Sequence, residues 1–191
     1  TLNVSSYGDA AFNSAAGSAK AEYYSYTPLD SADILLENDG RPRTIETKIL
    51  GITVNKKYYV YKKVSGEPVI IEEEGLAAYG DSSNQRKTST YYASSADAAS
   101  RGRTKAVSFP DGKLDSYTYE YGTYSANPDP ASCSFTAGSG DALRTTIVHG
   151  TIPNPAGVAG KSTKMTIITD GRGDDVMVDL PATPAGFGMV P

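Results

Sequence analysis

The side chains that could carry chemistry are few and scattered. His149 is the only histidine, so a Ser-His-Asp relay would have to be built on it. It ends the alternating stretch Thr145, Thr146, Ile147, Val148, with no sharp nucleophile-bearing turn around it, and reads as a strand residue with a structural or solvent-facing role. Glu72, Glu73 and Glu74 could supply a catalytic carboxylate. A glycosidase needs two carboxyls held ~5–9.5 Å apart across a cleft, and nothing pairs this run with a second one, so it reads as a solvated strand end. The densest acidic cluster is Asp170-Gly171-Arg172-Gly173-Asp174-Asp175. Asp170, Asp174 and Asp175 could offer oxygens to Ca²⁺, but the segment lacks the Glu-terminated twelve-residue loop of an EF-hand. Its residues are turn-formers, and a hairpin turn is the preferred reading, with the calcium site as the alternative. Arg172-Gly173-Asp174 resembles integrin-binding loops over only three residues. There is no Gly-rich phosphate fingerprint. The expectation is a chain without catalytic residues or cofactors, and not an enzyme.

The totals narrow the partners. The chain has 191 residues, 18 basic against 22 acidic, and a net charge of -4. That is one large domain or two small ones, with no electrostatic footprint for nucleic acid or an anionic membrane. The single Cys133 excludes an intrachain disulfide framework and a Cys-rich zinc site. No apolar run reaches the ~20 residues of a membrane span. No signal peptide is recognisable, and a start at Thr1 suggests a processed or excised piece. Asn3-Val4-Ser5 fits a glycosylation sequon, relevant only to a eukaryotic secretory route. There are 14 Tyr, 4 Phe and no Trp, an aromatic set suited to sheets with one wet face.

The elements that must position these residues are strands. Residues 1–21 are small and polar, a flexible or docking N-terminal segment in which a short helix over 9–21 is weakened by Gly17 and the serines. Strand signals follow at 22–27, 33–37, 43–49, 54–64, 69–73, 86–92, 105–109, 114–124, 132–136, 144–149, 161–169 and 175–180, within one β domain over 22–180. Residues 181–191 form a Pro/Gly-rich tail. Two hairpins stand out, 54–73 about Ser65-Gly66 and 105–124 about Pro110-Asp111-Gly112. Alternation puts Tyr59 and Tyr61 on one face, Tyr58 and Val60 on the other. Lys56, Lys57, Lys62 and Lys63 read as edge-blocking lysines. Residues 75–87 and 94–100 read as loops. The fold class is all-β and antiparallel.

A pattern recurs along these strands. Asp39-Gly40-Arg41 is followed by Leu50-Gly51 and then Tyr59-Val60-Tyr61. Gly102-Arg103 is followed by Asp111-Gly112 and then Tyr117-Thr118-Tyr119. Asp170-Gly171-Arg172-Gly173 starts a degenerate third pass. Such self-similarity marks stacked units that cannot bury their apolar faces alone. The pattern resembles the RHS/YD repeat, whose unit runs Gly-Arg, a short β stretch, Asp-Gly, then Tyr-x-Tyr-Asp. Where that family has Tyr-Asp this chain has Tyr61-Lys62 and Tyr119-Glu120, the spacing is irregular, and half of the chain is covered. The resemblance implies long sheets that spiral into a hollow bacterial shell, enclosing a toxic polypeptide in several members and making cell-surface contact in others. It implies a secreted or surface-exposed wall segment, with neighbouring β repeats, identical chains joined at sheet edges, or an enclosed polypeptide as partners. Gly40, Arg41, Tyr59, Tyr61, Gly102, Arg103, Asp111, Gly112, Tyr117 and Tyr119 are then structural repeat residues, and the tyrosine pairs should pack alike. An adhesin or carbohydrate-binding module, stacking sugars on Tyr91, Tyr92 and Tyr124, is the alternative.

Overall fold

The computed structural model describes residues 2–4, 20–35, 39–129, 132–151 and 162–179. It is all-β and antiparallel, with no α-helix among the described residues. The chain divides into two compact units, Thr1–Thr90 and Tyr91–Pro191, where the sequence suggested one β domain over 22–180.

The first unit is a sheet in sequential order: β1 (Leu2–Val4), β2 (Ala21–Ser25), β3 (Thr44–Ile49), β4 (Ile52–Val64), β5 (Glu67–Gly75) and β6 (Gln85–Tyr91). β4 and β5 make the first expected hairpin, closed by Ser65 and Gly66 at φ 52° and 86°. Positive φ at both central residues is the type I′ pattern, whose twist matches that of the strands. The period-two alternation works as anticipated: Tyr58 and Val60 are buried, Tyr59 and Tyr61 half-buried. Val60, Val69 and Ile71 form the core, and Leu29 and Tyr79 pack against it. Both covering residues come from segments outside the strands, so loops serve as the second layer that every sheet face needs.

Three readings are corrected here. Residues 33–35 are not a strand; residues 36–37 lie outside the described residues. Asp30 Oδ1 accepts the Ala32 amide and Asp33 Oδ1 the Leu35 amide, both at 2.9 Å, and such local bonds compete with a strand ladder. Lys56 and Lys57 do not block an edge, because that part of β4 is paired with both β3 and β5; past Tyr58, where the β3 pairing stops, residues 30–35 take its place, with Ile34 N donating to Tyr61 O and Lys62 reaching Asp30. Within the N-terminal segment, Leu2–Val4 pairs antiparallel with Ala21–Tyr23. Residues 9–19 of the suggested helix lie outside the described residues, as does the 181–191 tail.

The second unit runs β7 (Thr104–Ser108), β8 (Lys113–Ser125), β10 (Ala142–Thr151), β11 (Thr163–Thr169) and β12 (Asp175–Asp179), with β9 (Ser134–Ala137) paired to the end of β8. β7 and β8 form the second expected hairpin. Its turn is closed by Gly112 N donating to Phe109 O and Phe109 N to Lys113 O, with Gly112 at φ 81°. The turn from Asp170 to Asp174 repeats these bonds, with Gly173 at φ 94°. Gly40 and Gly102, which open the first two passes, have positive φ, whereas in the third pass Gly173 has it and Gly171 does not, so this turn is in a different register and resembles the Asp111-Gly112 turn instead.

The first unit's core is thin, so each member matters. Ile71→Ala is expected to cost about 2–5 kcal/mol by the usual large-to-small rule, read as a fall in the denaturant midpoint at unchanged slope.

Candidate functional site

The groups with chemical potential are best taken by how they are held. Arg43 precedes β3 and is fully buried. Its Nε and Nη2 donate to both oxygens of Asp33 at 2.8 and 3.1 Å. Nη1 donates to Arg41 O at 2.7 Å, and Nη2 also donates to Leu35 O at 3.0 Å. Both side chains of the pair are 0% exposed. Nearby, Ile34 N donates to Tyr61 O and Tyr59 N to Arg43 O. The cluster ties residues 30–35 to the edge of β4.

Glu73 is the second buried charge, 2% exposed. Its Oε1 accepts Gly80 N at 2.7 Å and Asn84 Nδ2 at 2.9 Å. Its Oε2 accepts Arg86 Nε at 2.9 Å and Nη2 at 2.7 Å. Burial alone would raise its pKa, but the bonds from Asn84, Arg86 and Gly80 outweigh it and hold the carboxyl below its ordinary value. Asn84 also donates to Ala78 O at 2.8 Å, and Tyr58 donates through its hydroxyl to Ala77 O at 2.6 Å. A Cβ on Gly75 would stand 2.0 Å from Asn84 Oδ1, so glycine leaves the room this asparagine occupies. The segment 76–84 is thereby clamped over β5. A carboxylate saturated by four donors is a structural anchor and a poor base.

This corrects the reading of Glu72–Glu74 as a solvated strand end. Glu72 pairs with Lys87 at 2.7 Å and Glu74 with Lys57 at 3.8 Å, but Glu73 faces the core. The signal was present: alternation from Val69 and Ile71 carries Glu73 onto the buried face. Arg43 gave no such signal, since its partner lies in a segment that is not a strand.

The repeat residues share one arrangement. The guanidinium of Arg41 lies 5.2 Å from the centre of the Tyr61 ring, as does that of Arg43. The guanidinium of Arg103 lies 5.4 Å from the Tyr119 ring. Tyr59, Tyr61, Tyr117 and Tyr119 are half-buried alike. Burial raises the pKa of Tyr61 and Tyr119, and in each the arginine opposes the rise. Gly40 and Gly102 before these arginines have φ of 85° and 70°. The equivalent hairpins are therefore β3–β4 and β7–β8. Each Asp-Gly turn also clasps its own cation: Arg41 on Asp39, Lys113 on Asp111, Arg172 on Asp170.

The remaining candidates are dispersed. His149 Nδ1 lies 2.8 Å from Asp115 Oδ1, a cross-strand pair. Asp170 Oδ1 accepts the amides of Arg172 and Asp174, and Oδ2 takes the Arg172 side chain. Asp175 accepts from the Thr169 hydroxyl. Among the described residues no group of three His, Cys, Asp or Glu side chains is placed to hold a metal ion. Tyr92, suggested as a sugar-stacking ring, is half-buried; it donates to Tyr117 O at 2.9 Å and packs edge-on against Tyr119. The described residues include an open depression of about 380 Å³ over Val64, Val69, Ile71, Thr88 and Thr90, with Lys62, Ser65 and Glu67 also lining it. Another, of about 430 Å³, lies over Thr118, Glu120, Arg144, Thr146, Lys164 and Thr166.

Compared with protein-family models, curated proteins and solved structures, the chain matches none.

Two outcomes follow for the buried charges. Arg43→Ala should destabilise by about 3–5 kcal/mol, because it strands a buried carboxylate. The double change Arg43→Met with Asp33→Leu should recover most of that loss in the same urea titration. For Glu73, the folded pKa lies below the unfolded value near 4.5. Its contribution is present above that value and lost as pH falls through the folded pKa. Thermal melts across the acid range should show Glu73→Gln with a shallower acid decline than the parent; an unchanged profile would remove Glu73 from the account.

Proposed function

We propose that this chain is a non-enzymatic structural segment of a β-sheet wall, of the kind built by RHS/YD repeats, in a secreted or cell-surface protein. The observation that supports it most is the recurrence of one physical unit. In each of two hairpins a glycine at positive φ precedes an arginine, and that arginine lies over the second ring of a Tyr-x-Tyr pair. A repeated unit of this kind extends a sheet by stacking copies of itself. The buried charges add support, because they anchor loops and face no cleft. The role of such a wall is to enclose or present another polypeptide, or to assemble with further copies.

A wall segment has edges to join. Among the described residues, β12 pairs only with β11, and its Val176 and Val178 are exposed. An unpaired edge is a template for another strand. Light scattering over a concentration series should show the average mass rising from monomer to dimers or filaments. A mass that stays monomeric at every concentration would count against assembly and favour a self-contained binding module.

A further inference from the structure

The β3–β4 hairpin ends in an apolar finger. Lys48 is the last β3 residue paired with β2, and β4 pairs with β5 only from Lys56 onward. Among the described residues, 49–55 therefore project beyond the pairing of both neighbouring strands. Ile49 is 45% exposed, Leu50 64%, Ile52 69% and Val54 43%. Leu50 and Gly51 form the two-residue turn, at φ 51° and 80°. Ser65 and Gly66 close the next hairpin with the same φ pattern, at 52° and 86°. A small polar residue thus suffices for this turn. Leucine at positive φ costs backbone strain, since only Gly, Asn and Asp adopt that region readily. Leu50 accepts that strain and exposes an aliphatic side chain.

We propose that this finger inserts into the surface of a lipid bilayer. The inference does not depend on the wall-segment reading. Three features select a bilayer over the other apolar occupants. First, the exposed apolar side chains of the finger, Ile49, Leu50, Ile52 and Val54, are all aliphatic, whereas the anchors of protein interfaces are mostly Trp, Tyr and Arg, with Leu under-represented. Second, each carboxylate of the collar behind the tip has a lysine: Glu22 has Lys20 at 2.9 Å, Glu46 has Lys48 at 3.7 Å and Glu74 has Lys57 at 3.8 Å, and Lys56, opposite Glu46, adds one further cation. No uncompensated carboxylate in these pairs opposes approach to lipid headgroups. Third, a tip-to-tip contact with a second copy is too small, because a stable interface takes about 20–30 residues a side. The finger lies at the interface and does not span the membrane. Because most of the attraction comes from apolar burial, binding does not require anionic lipid and survives high salt.

The test is flotation of the full chain with phosphatidylcholine vesicles, with and without phosphatidylserine, at low and high salt. The parent is expected to float with both compositions at both salts. Leu50→Asn with Ile52→Thr keeps the turn and strand preferences, should fold at least as well by thermal melt, and should lower partitioning by about tenfold or more. Val64→Thr at the neighbouring turn should leave it unchanged. The chain has no Trp, so Leu50→Trp places a single indole at the tip, and its emission should shift to the blue on neutral vesicles. A parent that stays in the aqueous fraction, flotation that needs phosphatidylserine and is lost in high salt, or an indole emission unmoved by vesicles would each overturn the proposal. In the first case a protein pocket becomes the occupant to seek.

Discussion

The first unit is organised around a guanidinium without access to water. Arg43 joins Asp33, Arg41 O and Leu35 O, and lies against the Tyr61 ring. Its own carbonyl accepts the Tyr59 amide. Among the described residues, the partners packed on the core of this unit are Leu29 and Tyr79, both outside the strands, and loops settle onto a sheet only if something fixes them. Apolar contact from Leu29 and Tyr79 is too little to choose one conformation. The charged cluster makes the choice. A buried pair contributes modest net stability, since desolvation offsets most of its attraction, but its loss is costly. Here it acts as a device of specificity, holding residues 30–35 in one place against β4.

Glu73 does the same for the segment 76–84, using a carboxylate where Arg43 uses a cation. Both groups would attract attention in a search for catalysis, being buried and charged, one with a depressed pKa. Their surroundings argue otherwise. Every oxygen of Glu73 and every donor group described for Arg43 is spent on backbone or on a fixed partner. A group that must hold a loop cannot exchange a proton in each turnover without releasing it. The polar chemistry of this chain is therefore consistent with architecture, and the repeated Arg-over-Tyr contact extends the same logic to the second unit.

Much of this architecture was legible in the residues. Alternation located the long strands, and Ser65-Gly66 and Asp111-Gly112 located the turns, because both depend on local sterics alone. The Gly-Arg and Tyr-x-Tyr spacing pointed to residues that share an Arg-over-Tyr contact, though not to β3–β4 as the counterpart of β7–β8. What stayed hidden was non-local. Asp33 finds Arg43 across ten positions, and its segment abandons strand geometry because Asp30 and Asp33 capture nearby amides. Glu73 lay within a run of three glutamates whose net polarity masked the alternation that buries its middle member. The third pass misled because dipeptide identity was matched, whereas the turn is set by which residue takes positive φ.

The central claim is that the loops of the first unit are a fixed second layer of the fold. Amide hydrogen exchange tests it most directly. The amides of Ile34, bonded to Tyr61 O, and of Gly80, bonded to Glu73, should be protected to nearly the same degree as those of Val60 and Ile71 in the sheet. If those two amides exchange at the rate of an open chain while β4 and β5 stay protected, the loops are not part of the cooperative structure and the account fails.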